Sequence, residues 1–133
     1  MQFKECYQNP FIEERADPYI TLGPDGFYYF TASYPMKSAD DKDGYDRVIL
    51  RRAKDISELA SAEEITIWKV ADTTLTHRFI WAPELHYIAG RWYVFYAGSE
   101  DKENNWAFDC HVLVCDSNDP YAGTWSEKGK FQK

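Results

Sequence analysis

The sequence predicts an all-β protein made of two four-stranded antiparallel units, and three observations carry that expectation. Aromatic residues make up 17% of the 133 positions, with ten Tyr, eight Phe and five Trp, a composition suited to pleated, half-buried surfaces. A hairpin-like pattern that begins at Pro18 returns at Pro83, 65 positions later. A third strand-like run, Val48-Ile49-Leu50, precedes a similar run, Val112-Leu113-Val114, by 64 positions.

Taken in order, the first unit opens with Pro18-Tyr19-Ile20-Thr21-Leu22. The turn Gly23-Pro24-Asp25-Gly26 and an aromatic run over residues 27–33 complete a hairpin. Val48-Ile49-Leu50 supplies a third strand and Ile65-Thr66-Ile67-Trp68-Lys69 a fourth. The second unit repeats this with Pro83-Glu84-Leu85-His86-Tyr87-Ile88, an Ala89-Gly90 turn, residues 91–97, the 112–114 run and Thr124-Trp125-Ser126-Glu127. Four short antiparallel strands recurring at about 60 residues are the signature of propeller blades. Blade one is expected over about 10–72 and blade two over about 78–130. Residues 55–62 are the one helical candidate, opening with Asp55-x-x-Glu58 as a capping box. Residues 35–45 and 100–105 read as polar loops.

Two blades do not close a ring, since propellers have four to eight. The remaining blades of a longer chain, or self-association of this one, are therefore expected to cover the open faces.

The formal net charge is -7 and the pI about 4.9. Nucleic-acid and anionic-membrane binding rely on clustered Lys and Arg, so both are disfavoured. Arg47, Arg51, Arg52 and Lys54 form the only basic cluster, and it is short and strand-borne. The aromatic residues fit either an ordinary β core or a surface that packs flat rings on sugar C–H faces.

Particular segments resemble the family 43 glycoside hydrolases. They are Asn9-Pro10, Arg15-Ala16-Asp17-Pro18-Tyr19-Ile20, the hairpin end Ala32-Ser33-Tyr34, Tyr45-Asp46-Arg47 leading into Arg51-Arg52-Ala53, and Ile80-Trp81-Ala82-Pro83-Glu84. Their order most resembles the exo-acting α-L-arabinofuranosidase branch, and the resemblance covers nearly all of the chain. It implies a five-bladed propeller and an inverting hydrolase of arabinan or arabinoxylan. Such chemistry places two carboxyl groups about 6.5–9.5 Å apart, so that water fits on the far side of the sugar. Their environments hold one ionised and the other protonated.

By that resemblance Asp17 is the catalytic base, placed at the start of an innermost strand. Pro18 is expected to bias it toward an extended backbone. Without the resemblance, Asp17 reads rather as a strand-capping turn residue. Trp81 and Tyr34 are implied to shape the sugar subsite, with a core role as the alternative for each. Glu84 stands where many members have Asp and is expected to hydrogen-bond a sugar hydroxyl; Trp106, in a loop, is a candidate for the pocket rim, with an ordinary loop position as the alternative. The general acid and the aspartate that tunes it belong to later blades, so these 133 residues alone are expected to be inactive or nearly so. A β-xylosidase, an endo-arabinanase, and a non-catalytic sugar-binding or structural propeller unit are the other readings.

No cofactor is expected, although the complete propeller can hold an axial cation. Asp41-x-Asp43-Gly44 fails the EF-hand pattern, because Ala39 and Leu50 fall on the first and last ligand positions. His77, His86 and His111 are too scattered to suggest a metal site. Cys6, Cys110 and Cys115 have no metal spacing and are expected as isolated buried thiols. Residues 1–8 lack a signal-peptide core and no run is long enough to span a membrane. The expected compartment is the cytoplasm if Met1 is the natural start, and secreted or periplasmic otherwise.

Overall fold

The structure, a computed structural model, describes residues 6–35, 44–76, 78–100, 103–104 and 106–131. Asp41, Asp43 and His77 lie outside the described residues. Two four-stranded antiparallel sheets form, each with its strands in chain order. The first comprises β1 (Ala16–Leu22), β2 (Tyr28–Ser33), β3 (Arg47–Ala53) and β4 (Ile65–Lys69). The second comprises β5 (Ile80–Ile88), β6 (Arg91–Ser99), β7 (Phe108–Cys115) and β8 (Trp125–Lys130).

The repeat extends to the irregularities of the sheets. In the first sheet Ala16 pairs with Ser33 and Tyr19 with Thr31, so Asp17 and Pro18 together face one residue. In the second, Trp81 pairs with Ala97 and Glu84 with Phe95, so Ala82 and Pro83 do the same. A further bulge lies between Val48 and Ile49 where β3 meets β4, and its counterpart between Val112 and Leu113 where β7 meets β8. Bulges of this kind bend a strand and re-aim its side chains.

The first bulge corrects one expectation. Asp17 is not extended: its φ is 50°, and Ala82 at the matching place has a φ of 48°. Proline disfavours the right-handed helical region for the residue before it. At these bulges the backbone takes the left-handed alternative, which Asp tolerates better than most residues. The two hairpin turns differ. Ile88 pairs with Arg91, leaving Ala89 and Gly90 with φ of 50° and 82°, the pattern of a type I′ turn. The longer first turn closes with the Gly23 N–H on the Phe27 carbonyl at 2.8 Å.

One apolar core joins the sheets. Tyr29, Val48, Leu50 and Trp68 from the first pack with Leu85, Trp92, Val94, Tyr96, Leu113 and Trp125 from the second. Tyr29 meets Trp92 edge-on at 5.1 Å, and Arg52 bonds Asp119 across the boundary at 2.8 Å. The other face of the first sheet, with Phe30, Ala32 and Ile49, is covered by Phe11, Ile12, Ile56 and Leu59.

The helical segment is a 3₁₀ helix, Ile56–Ser61, that inserts Leu59 into this second cluster. Asp55 caps it by accepting from the Ser57 N–H at 2.9 Å, while the Glu58 N–H bonds the Asp55 carbonyl. The cysteine expectation is also corrected. All three thiols are free, but only Cys115 is buried, because Cys6 precedes the first strand and Cys110 lies on the exposed face of β7.

Candidate active site

The bulges bring the first strands of the two sheets, β1 and β5, together around one buried hydroxyl. Ser33, the last residue of β2, has no solvent exposure. Its Oγ accepts from the Ala82 N–H at 2.7 Å and donates to Asp17 Oδ2 at 2.9 Å. With the amide hydrogen already occupying one lone pair, the hydroxyl proton is the one left for the carboxylate. Asp17 itself is exposed, so its carboxylate is anchored on one oxygen and open to solvent beyond it.

Trp81 adjoins Ala82 and is the hub of an aromatic cluster. It stacks on Phe108 at 4.3 Å and on Phe79 at 5.2 Å, and meets Tyr45 and Trp106 edge-on at 5.7 and 5.9 Å. Stacking of this kind holds a ring rigidly and leaves less of its face for another partner. Trp106 is the open member, with 80% of its surface exposed. Of the two predicted tryptophans, it is therefore Trp106 that offers a free face.

Tyr34 follows Ser33 and is held differently. The guanidinium groups of Arg15 and Arg47 lie 4.1 and 4.2 Å from its ring centroid. Each cation is attracted by the π-electrons of the ring. Arg15 is held in turn by Glu64 at 2.5 Å, and Glu64 also accepts from Arg51 at 3.2 Å. Burial alone would raise the Glu64 carboxyl, but the hydrogen bonds and charge of Arg15 and then Arg51 outweigh it and hold it below the usual range.

Glu84 lies two residues beyond the Ala82 bulge and is exposed. Its Oε2 sits 3.0 Å from His86 Nε2, and the His86 ring lies 5.5 Å from both Tyr19 and Phe95. The structure thus joins Asp17, through Ser33, to the Ala82 backbone next to Trp81, sets two arginines against Tyr34, and ties Glu84 to His86. Among the described residues no three His, Cys, Asp or Glu side chains gather as a metal site would require.

Sequence reasoning assigned no role to Ser33, Arg15, Phe79 or Phe108. Ser33 did carry a signal in the repeat. The register places Ala97 opposite Trp81 where Ser33 stands opposite Ala16, so the carboxylate and the hydroxyl are both absent from the second unit.

The sequence pattern of the glycosyl hydrolases family 43 matches residues 7–133. The extracellular exo-α-(1→5)-L-arabinofuranosidase of Streptomyces chartreusis is 43% identical over 126 residues, covering 95% of this chain and 36% of that protein. Its namesake from Streptomyces avermitilis is 42% identical over 125 residues, covering 94% of this chain and 24% of that protein. The crystal structure of α-L-arabinofuranosidase from Lactobacillus brevis superposes with a TM-score of 0.79 at 40% identity, covering 95% of this chain and 39% of that one.

The chain belongs to glycosyl hydrolase family 43, and its two sheets are two blades of that family's five-bladed propeller. It spans between about a quarter and two fifths of the length of these relatives.

Proposed function

We propose that these residues form part of an inverting α-L-arabinofuranosidase that removes terminal arabinose from arabinan- or arabinoxylan-type polysaccharides. The observation that carries this reading is the Asp17 carboxylate, held at the β1 bulge by Ser33, which also bonds the Ala82 backbone next to Trp81. One oxygen is fixed and the group is open to solvent, as a base that deprotonates water requires. The relatives named as arabinofuranosidases, at 40–43% identity, support the substrate class. Trp106 offers a face to the sugar, while Trp81 and Tyr34 shape the subsite. Glu84 orients a hydroxyl. The relatives named extracellular favour the secreted of the two expected compartments.

The general acid comes from blades outside these 133 residues. An open apolar groove on the second blade is the face on which they are expected to dock. Val48 packs in the core between the two blades, whereas its counterpart Val112 lines an open apolar groove with Ile88, Tyr93, Phe95 and Phe131. A third blade seated there continues the propeller as the second blade continues the first.

The test compares hydrolysis of an aryl α-L-arabinofuranoside and an aryl β-xyloside by the 133-residue chain and by the natural gene product that carries it. The gene product is expected to prefer the arabinofuranoside and to lose about 10²–10⁴ in kcat on Asp17→Asn. The chain alone is expected to be silent. Full activity of Asp17→Asn sinks the base assignment, preference for the xyloside sinks the substrate class, and robust turnover by the chain alone sinks the missing acid.

A further inference from the structure

We infer that Ser33 is a positioning residue for the Asp17 carboxylate, and that it takes its own orientation from the second blade through the Ala82 N–H. The inference rests on the reading of Asp17 as the base. The geometry leaves Ser33 little freedom. It is wholly buried, its acceptor side is engaged by Ala82 at 2.7 Å, and its proton is directed at Asp17 Oδ2 at 2.9 Å. A buried hydroxyl with both roles satisfied is rigid, and losing either partner leaves the other unsatisfied.

The repeat supplies an internal control. Asp17 and Ala82 occupy matching bulges, both left-handed and both before proline, and Ser33 and Ala97 match in turn, each paired with the residue just before the bulge, Ala16 and Trp81. Where the carboxylate is present the hydroxyl is present, and where one is replaced by Ala so is the other. A Ser needed only to fill the hairpin end would have no reason to track the carboxylate. The arrangement also makes the base depend on blade packing, because the donor that sets Ser33 belongs to β5 while the group it sets belongs to β1. Two blades docked slightly out of register would turn the hydroxyl away from Asp17.

Such a residue acts on catalysis by geometry, and an error of about 1 Å in a reacting group costs about 100-fold in rate. Ser33→Ala in the natural gene product is expected to lower kcat about 10- to 100-fold with KM changed by less than about threefold, and Ser33→Thr to recover most of the loss. In the same protein, Ser33→Ala is expected to speed hydrogen exchange at the Ala82 amide by about tenfold or more, and Ser33→Thr to slow it again. Unchanged kcat in Ser33→Ala, or a threonine variant as poor as the alanine one, overturns the inference. So does an Ala82 amide indifferent to both changes. If Ser33→Ala does not fold, Ser33→Cys keeps the volume with a weak donor and is expected to show the same loss of kcat. Asp17→Asn separates the two claims: an active Asp17→Asn removes the base, whereas an inactive Asp17→Asn beside a fully active Ser33→Ala removes only the positioning role.

Discussion

Asp17 and Ala82 hold the same place in successive blades, each at the bulge of its sheet's first strand, each before a proline, with φ of 50° and 48°. The left-handed backbone is thus shared by these two blades, and the carboxylate is present in the first of them alone. Asp17→Asn is expected to change stability by less than about 1 kcal/mol, because Asn is among the few residues that accept this conformation. Asp17→Val should cost about 1–2 kcal/mol more, since a branched Cβ crowds the carbonyl. Urea unfolding of the two variants checks the difference, and equal midpoints would refute it.

Ala89 opens the type I′ turn with φ of 50°, in a position where Asn or Gly is favoured. Ala89→Asn creates the Asn-Gly pair and is expected to stabilise the protein by about 0.5–1 kcal/mol. The thermal midpoint should rise. A fall would mean that the turn is not the one described.

Glu64 joins Arg15 and Arg51, and through Arg15 supports Tyr34. Glu64→Gln is expected to cost about 1–3 kcal/mol, because two partly buried guanidinium groups lose their counter-charge. The sign with pH follows from the carboxyl being held below its ordinary range. This contribution is complete above the unfolded pKa, near 4.5 for such a carboxyl, and fades as the pH falls toward the folded value. The variant should therefore lose part of the acid dependence of stability below about pH 4.5, as read from unfolding curves at several pH values.

His111 is buried, stacked on Tyr96 at 5.2 Å, with its Nε2 lacking a partner among the described residues. Burial lowers its pKa, and the nearby Glu100 and the hydrogen bond with Gly98 only partly offset this. Between the folded pKa and about 6.5 the unfolded chain binds the extra proton, so stability falls as the pH falls through that window. In His111→Phe that slope should disappear whatever the absolute stability. A slope retained in full assigns it to another group.

Much of the fold was legible along the chain, because a blade is built from local signals. Period-two runs, the Gly23–Gly26 and Ala89-Gly90 turns, and the 64–65-residue spacing specify strand order without reference to distant residues. The bulge at Asp17 was misread for a local reason. A residue before proline is ordinarily extended, and only pairing with β2 forces the extra residue into the left-handed region.

What the sequence determined by itself was an all-β chain of two repeated units with a carboxylate before proline at the head of the first. The tertiary structure decided the rest of the candidate site. It set Ser33 between Asp17 and Ala82, closed Arg15 and Arg47 over Tyr34, packed Phe79 and Phe108 on Trp81, and left Trp106 open. The reason is physical. Strand and turn preferences act over a few residues, whereas each of these contacts joins separate elements and exists only once the sheets have twisted and docked.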